Sequence, residues 1–195
     1  MSGLLTRFGQ SITPRRMKKL YSMLVATIVG GVLMSSADAA RAAEGTFKVS
    51  EFTFATPEGW KKEQPKSSMR KAQLSAPGKD GAKDAEVTFF YFGPSSGGGV
   101  QANVSRWFGQ FKDRKNEKAE EKTVGGVKVT YVTTDGTFMS GPPFGGPKTP
   151  VPNSSLLGAI VEGKNGSVFV KMTGPSATVK GSDAGFRGMI EGALK

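Results

Sequence analysis

Apolar and polar positions divide this chain into distinct regimes. From Leu20 to Met34 the residues run LYSMLVATIVGGVLM without a charge. After residue 44 the apolar residues instead gather in short runs separated by Gly, Pro and Asn. Phe47–Val49 and Phe52–Phe54 predict two short strands before Pro57-Glu58-Gly59-Trp60, a turn that ends on an aromatic anchor. Residues 68–76 predict a further strand. Residues 86–92, EVTFFYF, are apolar on both alternating faces, as a covered central strand is. Val127, Val129 and Tyr131 alternate with Lys128 and Thr130, and residues 156–162 and 167–173 flank Asn165-Gly166, a strong hairpin signal. Two segments have helical spacing instead. Val100, Val104, Trp107, Phe108 and Phe111 form one stripe; Phe186, Met189, Ile190 and Ala193 form another, starting at Ser182 as the expected N-cap. The order predicts an α+β domain, a mostly antiparallel sheet of about six strands with two main helices packed on it.

The uncharged run has basic residues upstream (Arg7, Arg15, Arg16, Lys18, Lys19) and small residues downstream. That pattern describes a secretory signal peptide, and the run is shorter than the roughly 20 residues a spanning helix needs. Cleavage is expected near Ala39 or Ala42, which makes residues 1–43 signal and spacer and residues 44–195 one domain. Met17 would itself serve as a start, so residues 1–16 read as an upstream extension. Arg15-Arg16 lacks the flanking pattern of a twin-arginine signal. The expected product is exported, periplasmic or extracellular, and touches membrane only through the signal segment.

Export also changes the charge. Six of the 27 basic residues and one of the 16 acidic ones lie in residues 1–43, so the net charge falls from +11 to +6. Most of what remains as a local excess is Lys61, Lys62, Lys66, Arg70 and Lys71, a candidate contact for an anionic surface. No nucleic-acid partner is expected. Residues 112–122, KDRKNEKAEEK, are mixed in sign and read as a solvated helix end and linker.

The sequence has no His and no Cys. Disulfides, thiolate nucleophiles and Ser-His-Asp triads are excluded, and a zinc site would have only carboxylates. No cofactor is expected. Ser68-Met69-Arg70-Lys71 matches S-x-x-K, in which Lys71 would take the proton of Ser68, but that geometry needs a helix start and the string leads into an expected strand. The stretch 141–149, GPPFGGPKT, evokes a phosphate loop but Pro147 interrupts it and removes an N–H. Phe144 and Lys148 in that loop are candidate contacts for a partner protein of the envelope. Asp135-Gly136 reads as a lone turn or bulge. The loop 93–99 before the Trp107 helix reads as a flexible entry, with anion binding at the helix start as the other reading.

Phe52-Thr53-Phe54-Ala55-Thr56-Pro57-Glu58-Gly59-Trp60 has the form F-T-F-x-x-P-x-G-W, and Val168–Pro175 leads through Phe186 to a terminal helix. Both resemble PsbP-like domains. The resemblance implies an α-β-α sandwich that works as a small exported accessory domain; it carries over no functional residue. The expected function is an exported binding or accessory domain, not an enzyme.

Overall fold

The structure, a computed structural model, describes residues 45–142 and 145–195. The signal and spacer readings of residues 1–43 therefore lie outside the described residues.

Among the described residues, nine strands and three short helices follow in the order β1 (Thr46–Val49), β2 (Phe52–Ala55), β3 (Lys61–Glu63), β4 (Arg70–Ala76), β5 (Ala85–Tyr91), α1 (Val100–Phe108), β6 (Phe111–Val124), β7 (Val127–Ser140), β8 (Thr149–Gly163), β9 (Gly166–Pro175), α2 (Ser176–Gly181) and α3 (Asp183–Gly192). β1 and β2 pair with each other, and the remaining seven form one antiparallel sheet in the order β3-β4-β5-β9-β8-β7-β6. The expected six-strand, two-helix α+β sandwich is corrected by this architecture. Strands take 52% of the described residues and helices 17%, so the domain is mostly β.

Two segments account for most of the difference. The charged run expected to be a helix end and linker is β6, an edge strand exposed along nearly its whole length. α1 stops at Phe108, where Gly109 caps it, and the chain turns back along β7. An edge strand solvated on both faces has no apolar alternation to read, and its charges guard it against pairing with other chains. The second segment is β7–β8, whose strands of 14 and 15 residues extend beyond the apolar parts visible in sequence.

The sheet's two faces carry separate cores. On one face Leu74, Val87, Phe89, Val129, Tyr131, Leu157, Val161, Val170 and Met172 meet the β1–β2 hairpin and Phe186, Met189 and Ile190 of α3. Phe47, Phe54 and Phe89 join the hairpin to the sheet, with edge-to-face centroid distances of 4.9 and 5.1 Å at Phe89. On the other face Val104 and Trp107 of α1 pack on Val132, Leu156, Ile160 and Phe169. Here Gly158 is required by close approach: a Cβ at that position would lie 2.3 Å from the Trp107 ring. The loop before α1 is pinned and not a free entry, because the buried Asn103 amide donates to the carbonyls of Gly97, Gly98 and Gly99.

A short β9–α2–α3 ending places polar groups beside the sheet. Ser182 precedes α3 as expected but makes no side-chain cap, and the six-residue α2 before it was not legible in sequence. α2 lays Val179 in the hairpin-side core and sets Lys180 at its rim.

Candidate functional site

β7 and β8 pair Asp135 with Ser155 and Thr133 with Leu157. Alternation from buried Tyr131 and Leu157 puts Asp135 and Ser155 on the hairpin face, beyond the part that α3 covers. Between them and α2 opens a cleft of about 270 Å³. Leu157 and Val179 give it apolar walls, and Asn116, Asp135, Ser155, Lys180 and Asp183 give it polar ones.

Asp135 is the hub. Its Oδ2 accepts hydrogen bonds from Asn116 Nδ2 at 2.7 Å and from Lys180 Nζ at 2.9 Å, and its Oδ1 accepts one from the Ser155 hydroxyl at 2.5 Å. Ser176, at the start of α2, lies 2.8 Å from Ser155 Oγ. Backbone irregularities make this convergence possible. β6 carries register shifts between Lys112 and Lys118, with Asp113 and Asn116 in the left-handed region, and these bring the Asn116 amide over to β7. At Gly136 the strands approach so closely that a Cβ would stand 2.5 Å from the Lys112 carbonyl oxygen.

Burial opposes ionisation of Asp135, but the hydrogen bonds from Lys180, Ser155 and Asn116 and the Lys180 charge outweigh it and hold the carboxyl below the usual aspartate value of 3.8. The consequence for stability has a definite sign. A lowered folded pKa gives stability that is present above the unfolded value and lost as pH falls through the folded one. Asp135→Asn is therefore expected to cost about 1–3 kcal/mol at pH 7, a cost that shrinks below pH 3.8. Urea denaturation at pH 7 and pH 3 checks this; an equal cost at both would show that the carboxylate's charge contributes nothing.

The five basic residues singled out in sequence do not form one surface. Lys62 on β3 lies over the Phe47 ring, at 5.7 Å, and shares a cleft of about 510 Å³ with Lys48 and Lys71 on the hairpin side. Lys61 neighbours Ser75 on the α1 side. Lys66 and Arg70 also turn to that side, where both pair with Glu86 at 2.8 and 3.0 Å. Burial works against the Glu86 charge, yet hydrogen bonds from Lys66 and Arg70 keep its carboxyl below the ordinary range. The buried Gln73 completes this network with Arg70, Glu63 and Glu86.

Ser68 sits in the turn before β4, while Lys71 is on the strand and exposed. No helix starts there, and among the described residues no hydrogen bond joins the two side chains. Lys148 turns its ammonium onto the Pro142 carbonyl within the β7–β8 connection. Phe144 lies outside the described residues. Among the described residues no group of three or more carboxylates gathers as a metal site, and no helix is long and apolar enough to cross a membrane.

Nothing in the sequence pattern singles out Lys171. It neighbours Thr88 and Gly158 on the α1 face, donates to Gln110 Oε1 at 2.9 Å and stands 5.9 Å from the Phe138 ring centre. No carboxylate lies within ion-pair distance of it among the described residues. Burial, with a contribution from the Arg70 charge and against that of Glu86, pulls its pKa down to about 8.

Asp135, Asn116, Ser155 and Lys180 were likewise missed. Their signal in sequence was the Asp135-Gly136 dipeptide alone, because the cluster is assembled from β6, β7, β8 and α2.

Comparison with family models gives no match, and comparison with curated proteins gives none. Among solved structures, the chain is similar to the crystal structure of a protein of unknown function from Pseudomonas aeruginosa. Identity is 12% and the TM-score 0.44, over 75% of this chain and 92% of that one. At that level the likeness carries no argument about fold or function.

Proposed function

We propose that this chain is an exported binding domain, not an enzyme, that takes a small polar ligand in the Asp135 cleft. The observation that carries this reading is a half-open cleft whose central carboxylate is held by three side-chain donors. Such a carboxylate is fixed and ionised at neutral pH, which suits recognition. It is a poor general base for Ser155, since proton acceptance is favoured by a pKa near the working pH. The volume of about 270 Å³ falls just under the roughly 300–1,000 Å³ of drug-sized ligand pockets, so the ligand is of small-metabolite size.

Export rests on the Leu20–Met34 run and its flanks. The F-T-F-x-x-P-x-G-W opening adds its resemblance to PsbP-like accessory domains. Intact mass of the protein recovered outside the cytoplasm is expected to begin at Ala40 or Ala43; a chain retaining Met1 in the cytoplasm would refute export.

Binding is tested by thermal-shift screening of the purified protein, as the cell processes it, against a library of polar metabolites. At least one compound is expected to raise the Tm by several degrees, and Asp135→Asn to abolish that response. A library with no effect, or a response unchanged in the variant, would sink the reading.

A further inference from the structure

The polar wall of the Asp135 cleft is an ion pair that a ligand can enter. An ionised carboxylate offers about four lone-pair positions, and an ammonium three donors. Asp135 uses three positions, on Asn116, Lys180 and Ser155. Lys180 spends one donor on Asp135, and its side chain is 62% exposed at the cleft rim, free to pivot on its aliphatic stem. Ser155, by contrast, is buried and held by strand pairing with Asp135.

Three classes of small ligand meet this pair differently. A plain cation that reaches Asp135 frees Lys180 without giving it a partner. A plain anion that reaches Lys180 comes up against Asp135. A zwitterion satisfies both: its cation replaces Lys180 at Asp135 while its carboxylate meets the released ammonium. The second acid of the cleft does not upset this balance, because both Asp183 oxygens accept from Arg187 Nε at 3.1 Å. The remaining wall, Leu157 and Val179, is apolar and buried, and suits a short aliphatic group.

Resting on the reading that this cleft is the binding site, we propose that its ligand is a free α-amino acid with an aliphatic side chain. The ammonium lies on Asp135, the carboxylate on Lys180 and the side chain against Leu157 and Val179. Charge separation in the ligand then matches that of the cleft, and the single Asp135–Lys180 pair is replaced by two pairs to the ligand.

Isothermal titration of the chain as the cell processes it, with L-leucine, L-valine and L-alanine, is the test. At least one should bind. Its methyl ester, which lacks the carboxylate, and its N-acetyl form, which lacks the ammonium, should each bind at least tenfold more weakly. Asp135→Asn and Lys180→Met should each weaken the free amino acid at least tenfold; Lys180 is exposed, so its replacement leaves the fold intact even if Asp135→Asn does not. Absence of binding by all three amino acids overturns the zwitterion, as does an ester or N-acetyl form that binds as tightly as the parent. In those cases a thermal shift from some other metabolite, lost in Asp135→Asn, would keep the broader cleft reading standing. Failure of that shift as well would remove both.

Discussion

Replacing Trp107 by alanine is expected to destabilise the domain by about 3–5 kcal/mol, the range for removing a buried aromatic side chain. Trp107 is 6% exposed and closes the α1-side core over Val132, Leu156, Ile160 and Phe169. α1 has only nine residues and no side-chain N-cap, so it cannot hold itself as a helix and depends on this docking. Gly158 is the other half of the contact, since any side chain there would collide with the ring. Gly158→Val should therefore lower stability through the same displacement. The two substitutions share one site, so the double variant should cost less than the sum of the singles. Urea denaturation of the three variants reads this directly. A Trp107→Ala cost under about 1 kcal/mol, well below what burial of that ring implies, would show that α1 is dispensable to the sheet.

Lys171→Met is expected to act in the opposite direction. A partly buried ammonium with one amide partner and no carboxylate at ion-pair distance is costly, and an apolar chain of similar length removes the cost. The separation between the ordinary value of 10.5 and about 8 corresponds to on the order of 3 kcal/mol at pH below 8. Loss of the Gln110 and Phe138 contacts offsets part of it, so the net gain at pH 7 is set at about 1–3 kcal/mol. The pH dependence gives a sharper signature. Between pH 8 and 10.5 the unfolded chain still holds a proton on this lysine that the folded chain has released. Wild-type stability therefore gains from this group as pH rises through that window, and the variant lacks the gain. The difference between the two proteins should shrink from pH 7 to pH 10.5. A constant difference would mean that Lys171 titrates normally.

Local pattern makes the hairpin-side core legible in the sequence. Phe52, Phe54, Phe89, Phe186 and Ile190 are all buried, as their spacing in alternating or helical stripes implies. The hairpin expected at Asn165-Gly166 is present as the β8–β9 connection, with Gly163 paired to Gly166. β6 was not legible, because a strand exposed on both faces reads as a charged linker. The helical stripe that starts at Val100 includes Phe111, which is instead the first residue of β6, buried in the same cluster. A stripe of apolar positions identified its packing but not its backbone.

The basic cluster shows the same limit from the other side. Residues 61–71 are contiguous in sequence, yet pleating and the irregularity between Arg70 and Ala72 send their cations to opposite faces. The Asp135 site is the converse case. Asn116, Asp135, Ser155 and Lys180 are far apart in the chain, and only the long β6–β7–β8 pairing and the short α2 bring them together. Sequence spacing carries no trace of contacts made that way.

The central claim is that a ligand sits against Asp135, and amide chemical-shift mapping tests it most directly. The ¹⁵N-labelled protein would be titrated with the compound that most raises its melting temperature. The account predicts that the largest shifts fall on Asn116, Asp135, Ser155, Val179 and Lys180, and that Asp135→Asn removes them. Shifts centred on the Lys48, Lys62 and Lys71 cleft or on the Glu86 network, with the Asp135 residues unmoved, would contradict it.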